Sequence, residues 1–173
     1  MIPDLSVIIV NWNVRDLLRD CLASLSAAAE AISLDEGDSL VNVALTGGED
    51  EIILGTRDGM ACRFREADAR PMGRTARGVR GITLAGEDRV VDLVVVQGDM
   101  SVLTVCENGF GKRTAVEEYR LTRRGGKGVI NIKTTERNGP VVALRGVTDD
   151  DSLMMITANG ITLRTRLSAL REI

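Results

Sequence analysis

The chain has no histidine, four aromatic residues, three cysteines and three prolines among its 173 residues. Each scarcity removes a class of chemistry. Without imidazole there is no Ser/His/Asp or Cys/His catalytic set, no imidazole metal ligand, and no ordinary side-chain proton shuttle near neutral pH. Acid–base catalysis would have to rest on carboxylates or lysine. With so few aromatic faces, the stacking platforms that grip single-stranded nucleic acid are missing. Cys21, Cys62 and Cys106 fit neither paired zinc ligands nor a disulfide framework, so they read as reduced thiols of a cytosolic protein. Long hydrophobic runs are lacking too. Near the N-terminus the longest, Val7 to Val10, is far too short to span a bilayer or to act as a signal h-region, and Met1-Ile2-Pro3-Asp4 supplies no basic n-region. The expectation is a protein that is neither exported nor embedded in a membrane.

What is present is a soluble globular composition, 44% hydrophobic and 27% charged with a formal net charge of −3, enough for one domain or a short repeat array. The chain divides into two unlike segments. Leu5 to Val10 is a β-branched run, Asn11-Trp12-Asn13 a polar turn, and Leu17, Leu18, Cys21, Leu22 and Leu25 follow at helical spacing, so residues 1–31 predict a strand-turn-helix unit. From about Ser33 onward, short β-branched runs alternate with Gly, Asp and Asn turns, which is the pattern of an all-β region.

Residues 32–173 repeat internally with a period of about fifty. The stretches DEIILGTRDG, MSVLTVCENG and DSLMMITANG end at Gly59, Gly109 and Gly160, and Arg63, Arg113 and Arg164 stand four positions after each. Leu40, Val90 and Val141 open one strand of each unit at the same step. Four strands per unit are predicted: an opening strand (41–45, 90–96, 141–147), one running to the turn glycine, one after it (60–65, 110–114, 161–166), and a fourth beyond a basic loop (79–84, 129–134). Such units predict propeller-like blades over 32–84, 85–134 and 135–173, the last lacking its loop and fourth strand.

Resolving charge by repeat phase changes the meaning of the acidic total. The window 63–80 holds six bases and two acids, and 112–133 holds seven bases and two acids, leaving −12 for the remainder. Stacked side by side, the two windows would form one positive stripe. The candidate phosphate contacts are Arg63, Arg74, Arg77, Arg80, Lys112, Arg113, Arg120, Arg123, Arg124, Lys127, Lys133, Arg164 and Arg166. Arg offers a planar fork, Lys a mobile point charge, and the glycines of RRGGKG let backbone N–H groups approach an anion. Contacts of this kind bind duplex DNA salt-sensitively without reading bases. RRGGKG lacks the spacing of a nucleotide-binding P-loop and no helix follows it. Arg113 is a candidate to pair with Glu117 or Glu118, and Tyr119, the sole tyrosine, reads as a packing residue.

READARPMGRTARGVRGI (65–82), NGFGKRTAVEEYR (108–120), RRGGKGVINIKTTERNG (123–139) and ITANGITLRTRLSAL (156–170) resemble the C-terminal domain of DNA gyrase A subunits, with topoisomerase IV related. The resemblance implies a mainly β fold, a partial β-pinwheel of four-stranded blades, about two and a half of them here, preceded by the foreign strand-helix segment. It further implies a basic rim that wraps duplex DNA for a type IIA topoisomerase. The tyrosine, ATP and Mg²⁺ chemistry would lie on other domains, so this chain would need no cofactor and would not be an enzyme alone. Its implied partners are double-stranded DNA, the remainder of gyrase A and gyrase B, at the nucleoid in the cytoplasm. The family's QRRGGKG box belongs to its first blade. Here Thr122 to Gly128 reads TRRGGKG in a later blade, so DNA contact carries over to Arg123, Arg124 and Lys127 but the full wrapping role does not.

DLSVIIVNWNVRDLLRDCLASL (4–25) resembles instead the opening strand and helix of family 2 glycosyltransferases. A nucleotide-sugar-dependent glycosyltransferase fragment is therefore one alternative, although Asp149-Asp150-Asp151 reads as a solvated turn rather than a metal-binding Asp-x-Asp. The other is a basic repeat scaffold for an acidic protein.

Overall fold

The computed structural model describes residues 37–70, 78–157 and 159–173. The strand-turn-helix expected over 1–31, together with Cys21, lies outside the described residues, as do Arg74 and Arg77. The described chain is built from β1 (Glu51–Thr56), β2 (Met60–Arg65), β3 (Val90–Val96), β4 (Ser101–Cys106), β5 (Gly111–Ala115), β6 (Val129–Ile130), β7 (Val141–Val147), β8 (Ser152–Ile156) and β9 (Thr162–Arg166). A 3₁₀ turn follows the second hairpin strand in each unit, at Glu66–Asp68, Val116–Glu118 and Leu167–Ala169.

Three hairpins of one design carry the repeat. Gly59 N–H donates to Thr56 O at 3.1 Å, Gly109 to Cys106 O at 3.0 Å and Gly160 to Thr157 O at 2.9 Å. Gly59 sits at a φ of 89°, where a side chain is strained, and a Cβ there would run into the carbonyl oxygen of Ile132. Its own carbonyl accepts from Asn131 N–H at 2.9 Å and Ile132 N–H at 3.1 Å, so the turn is clamped by the next unit.

The sheets are out of phase with the sequence units. One sheet has strand order β3-β1-β2-β6 and the next β5-β4-β7, all neighbours antiparallel, while β8 and β9 pair as a hairpin. Each of the first two sheets thus centres on one unit's hairpin and takes its opening-type strand, and in the first sheet its fourth strand, from the unit that follows. Boundaries at 84/85 and 134/135 cut through the sheets. Two predicted strands do not form ladders. Residues 79–84 carry no strand because their backbone groups bind the loop of the next unit, Gly81 O accepting from Gly125 N–H at 2.6 Å and Thr83 N–H donating to Gly126 O at 2.8 Å. Residues 41–45 have no sheet neighbour among the described residues and are anchored by Asn42, whose Nδ2 donates to Asp92 Oδ1 at 2.7 Å and to Leu93 O at 3.2 Å.

The main core lies between sheets. Ile53, Ala61 and Val94 of the first sheet meet Val102, Cys106, Val116, Tyr119, Val141 and Leu144 in one buried cluster, each large aliphatic contributing roughly 1.5–3 kcal/mol by leaving water. Leu103, Val147 and Leu167 join the second sheet to the third hairpin in the same way. The inner strands β3 and β7 stand side by side: Gly146 faces Val94 and Met100, and Arg145 pairs with the buried Asp92. The opposite edge, with β2, β6 and the loop that precedes β6, forms the rim.

Cys62 and Cys106 are buried free thiols. Tyr119 is buried, its hydroxyl donating to Asn131 Oδ1 at 2.7 Å while Asn131 Nδ2 donates to Thr104 Oγ1 at 2.8 Å, so it packs and braces as its sequence context predicts. Among the described residues no helix is long and apolar enough to cross a membrane.

Candidate nucleic-acid interface

The TRRGGKG loop is fixed by the unit before it. After the 3₁₀ turn Val116–Glu118 the chain crosses to the outer edge of β2, where Leu121 bridges Arg63 in parallel and Thr122 N–H donates to Arg63 O at 2.9 Å. It returns as β6, with Val129 opposite Ala61 and Ile130 opposite Met60. Between these two anchors Gly128 lies against Ala61 O at a φ of 74°, leaving no room for a Cβ, and Thr83 Oγ1 donates to Gly125 O at 2.6 Å. Arg124 is itself part of the brace: its Nε donates to Asp68 O at 2.7 Å and its Nη1 to Arg80 O at 3.1 Å. The loop is therefore preorganised by backbone bonds, and Arg123 and Lys127 project from it exposed.

Other predicted bases are exposed or half-buried. Arg80 and Arg120 are exposed in the segments that enter the loop region, and Lys133 is exposed just beyond β6. Lys112, on β5, is half-buried; desolvation lowers its ammonium from the ordinary value, opposed by the nearby Glu118 carboxylate. Arg65 and Arg70 are exposed as well. Their position inside the first basic window was the available signal for adding them to the candidates.

Two candidates turn inward. Arg63 donates through Nε to Glu51 Oε2 at 2.6 Å and through Nη1 to Val116 O at 2.7 Å and Tyr119 O at 3.1 Å. Arg113, with its side chain 9% exposed, pairs with Asp149 at 2.6 Å and Glu172 at 3.5 Å and donates to Leu167 O at 3.2 Å. Each guanidinium thus reaches the 3₁₀ turn of the next unit. Arg113 also leaves Glu117 and Glu118 for Asp149, because its strand points it across the sheet-to-sheet contact rather than along its own chain. The acidic turn holds this partner, and Asp151 Oδ2 caps Thr148 N–H at 2.7 Å, as a structural turn does. Arg164 and Arg166 are exposed on β9. Among the described residues no group of three or more His, Cys, Asp or Glu is placed to hold a metal ion.

Comparisons with known proteins agree with this architecture. The family model for the DNA gyrase C-terminal domain, beta-propeller, matches residues 50–97, 101–147 and 151–173. The chain is 54% identical over 143 residues to the DNA gyrase A protein of Klebsiella oxytoca, covering 83% of this chain and 16% of that protein. It is 50% identical over 145 residues to the DNA gyrase A protein of Escherichia coli strain K12, covering 84% and 17%. It thus spans about a sixth of the length of these relatives. Among solved structures it is similar to the C-terminal domain of DNA topoisomerase IV, with a TM-score of 0.78 and 25% identity over 83% of this chain and 45% of that one. It is also similar to the DNA gyrase A C-terminal domain, with a TM-score of 0.76 and 26% identity over 84% and 50%. With its out-of-phase blades, its braced TRRGGKG loop and these matches, the chain belongs to the DNA gyrase C-terminal domain family, the β-pinwheel of gyrase A proteins.

Proposed function

We propose that the chain binds and bends duplex DNA along its rim without reading base sequence, as an accessory C-terminal region of a type IIA topoisomerase. The observation that carries this reading is the loop 122–128, held rigid by the preceding unit while Arg123 and Lys127 stand exposed. A preorganised cation pair loses little side-chain and loop freedom on meeting phosphate, and neutralising phosphates releases counterions from the duplex. In this reading the chain performs no catalysis itself, requires no cofactor, and serves the remainder of gyrase A and gyrase B at the nucleoid, where ATP and Mg²⁺ act on other domains.

Titration of duplex binding across salt concentrations tests it. The double variant Arg123→Ala/Lys127→Ala should flatten the slope of log K against log salt by roughly two units, since each neutralised phosphate contributes about 0.9. An unchanged slope in a folded double variant would remove the loop from the interface.

A further inference from the structure

Arg123 and Arg124 are neighbours in the chain and differ in what they do. Arg123 is exposed, whereas Arg124 is half-buried and donates to two carbonyls, through Nε to Asp68 O at 2.7 Å and through Nη1 to Arg80 O at 3.1 Å. Both carbonyls belong to the preceding unit. They flank the segment 69–79, whose sequence carries Arg70, Arg74 and Arg77. One planar group of the rim loop therefore reaches both ends of the neighbouring basic segment.

Backbone bonds close the same contact on one side. Gly125 N–H donates to Gly81 O at 2.6 Å, Thr83 N–H to Gly126 O at 2.8 Å and Thr83 Oγ1 to Gly125 O at 2.6 Å. They tie the loop to residues 81–83, after the segment, while the Arg124 bond to Asp68 O ties it to the 3₁₀ turn before the segment. Holding both ends of a segment at a fixed separation removes conformations that it would otherwise give up on binding. Arg can do this where Lys cannot, because a planar fork addresses two acceptors at once and an ammonium on a flexible stem is a single point charge.

We propose that Arg124 is a positioning residue for duplex binding: it joins the rim loop 122–128 to the basic segment 69–79 of the preceding unit, and it acts on DNA through the bases it holds in place rather than by neutralising a phosphate itself. This rests on the reading of the rim as a duplex-binding surface. Positioning and contact leave different marks on a salt titration. A base that neutralises a phosphate changes the slope of log K against log salt by about 0.9. A residue that preorganises other bases changes the affinity by one factor at every salt concentration and leaves the slope alone.

Titration of a mixed-sequence duplex with the 173-residue chain and with its Arg124→Ala and Arg124→Lys variants, across salt concentrations, tests the assignment. Both variants should bind about three- to tenfold more weakly on lines parallel to that of the wild type, the lysine gaining nothing from its retained charge. Amide exchange at Gly125 and Thr83 should quicken in both. Thr83→Val is uncharged and removes the bond to Gly125 O, so it should shift the line the same way at unchanged slope, and with Arg124→Lys it carries the test should Arg124→Ala not fold. A slope flattened by about 0.9 in Arg124→Ala and restored in Arg124→Lys makes Arg124 a phosphate contact and overturns the proposal. Wild-type affinity in folded Arg124→Lys or Thr83→Val overturns it too, because the bonds then hold the fold without serving DNA. Arg123→Ala/Lys127→Ala in the same titration separates the two readings: a flattened slope there upholds the rim whatever Arg124 does, and an unchanged slope removes the rim reading and this proposal with it.

Discussion

Arg63 and Arg113 on one side, and Arg123 and Lys127 on the other, are indistinguishable as members of two basic windows, yet the fold gives them opposite fates. The first pair occupies the strand after the turn glycine, a position that faces the following unit, and each guanidinium is consumed by carbonyls of a 3₁₀ turn and by carboxylates. The second pair sits on a loop whose backbone is already satisfied by Gly81 and Thr83, so their charges remain at the surface. Phase within the repeat, not charge density, decides whether a base holds blades together or faces solvent.

Substitutions can break that contrast in order of expected size. Arg113→Ala should cost about 2–3 kcal/mol of unfolding free energy in chemical denaturation, since a buried charge-assisted network is lost, while the salt slope of duplex binding by the folded fraction stays as it was. A stable variant with a flattened slope would put Arg113 on the DNA side after all. Tyr119→Phe should cost about 1–2 kcal/mol by leaving the buried Asn131 amide oxygen without its donor.

That same tyrosine carries a pH signature. Burial raises the Tyr119 phenol above its ordinary value, and burial likewise raises the Cys106 thiol. In both, the folded state holds the proton more tightly than the unfolded chain, so stability is complete below the unfolded pKa and declines as pH climbs past it. Denaturation midpoints should therefore begin falling above about pH 9, and Tyr119→Phe should fall less steeply above about pH 10. Arg124→Ala, which loses two hydrogen bonds on a half-buried loop, should cost about 0.5–1 kcal/mol and also weaken binding. Arg123→Ala/Lys127→Ala should leave stability within about 0.5 kcal/mol and act on DNA alone.

Much of this architecture was legible in the order of residues. Turn glycines at 59, 109 and 160 marked the hairpins, and the apolar runs before them became β1, β4 and β8. What stayed hidden depends on partners some fifty residues away. Nothing local to Arg113 points at Leu167 O or Asp149, and Glu117 and Glu118, its neighbours in sequence, are carried elsewhere by the turn. Residues 79–84 have strand composition, but Gly81 and Thr83 are bonded to the loop of the next unit instead of a ladder. The offset between unit and sheet was hidden for the same reason, because period alone does not say which neighbour donates a strand.

That offset has a consequence for how the chain leaves the ribosome. The first sheet uses residues 51–65, then waits for 90–96 and finally for 129–130 before its last edge is paired. The outer edge of β2 therefore waits for its partner strand β6 while more than sixty further residues are synthesised, which at about 5–20 residues per second is several seconds. Folding runs one unit behind translation, and a nascent-chain holdase would meet this protein as a succession of hairpins, each waiting for the next to arrive.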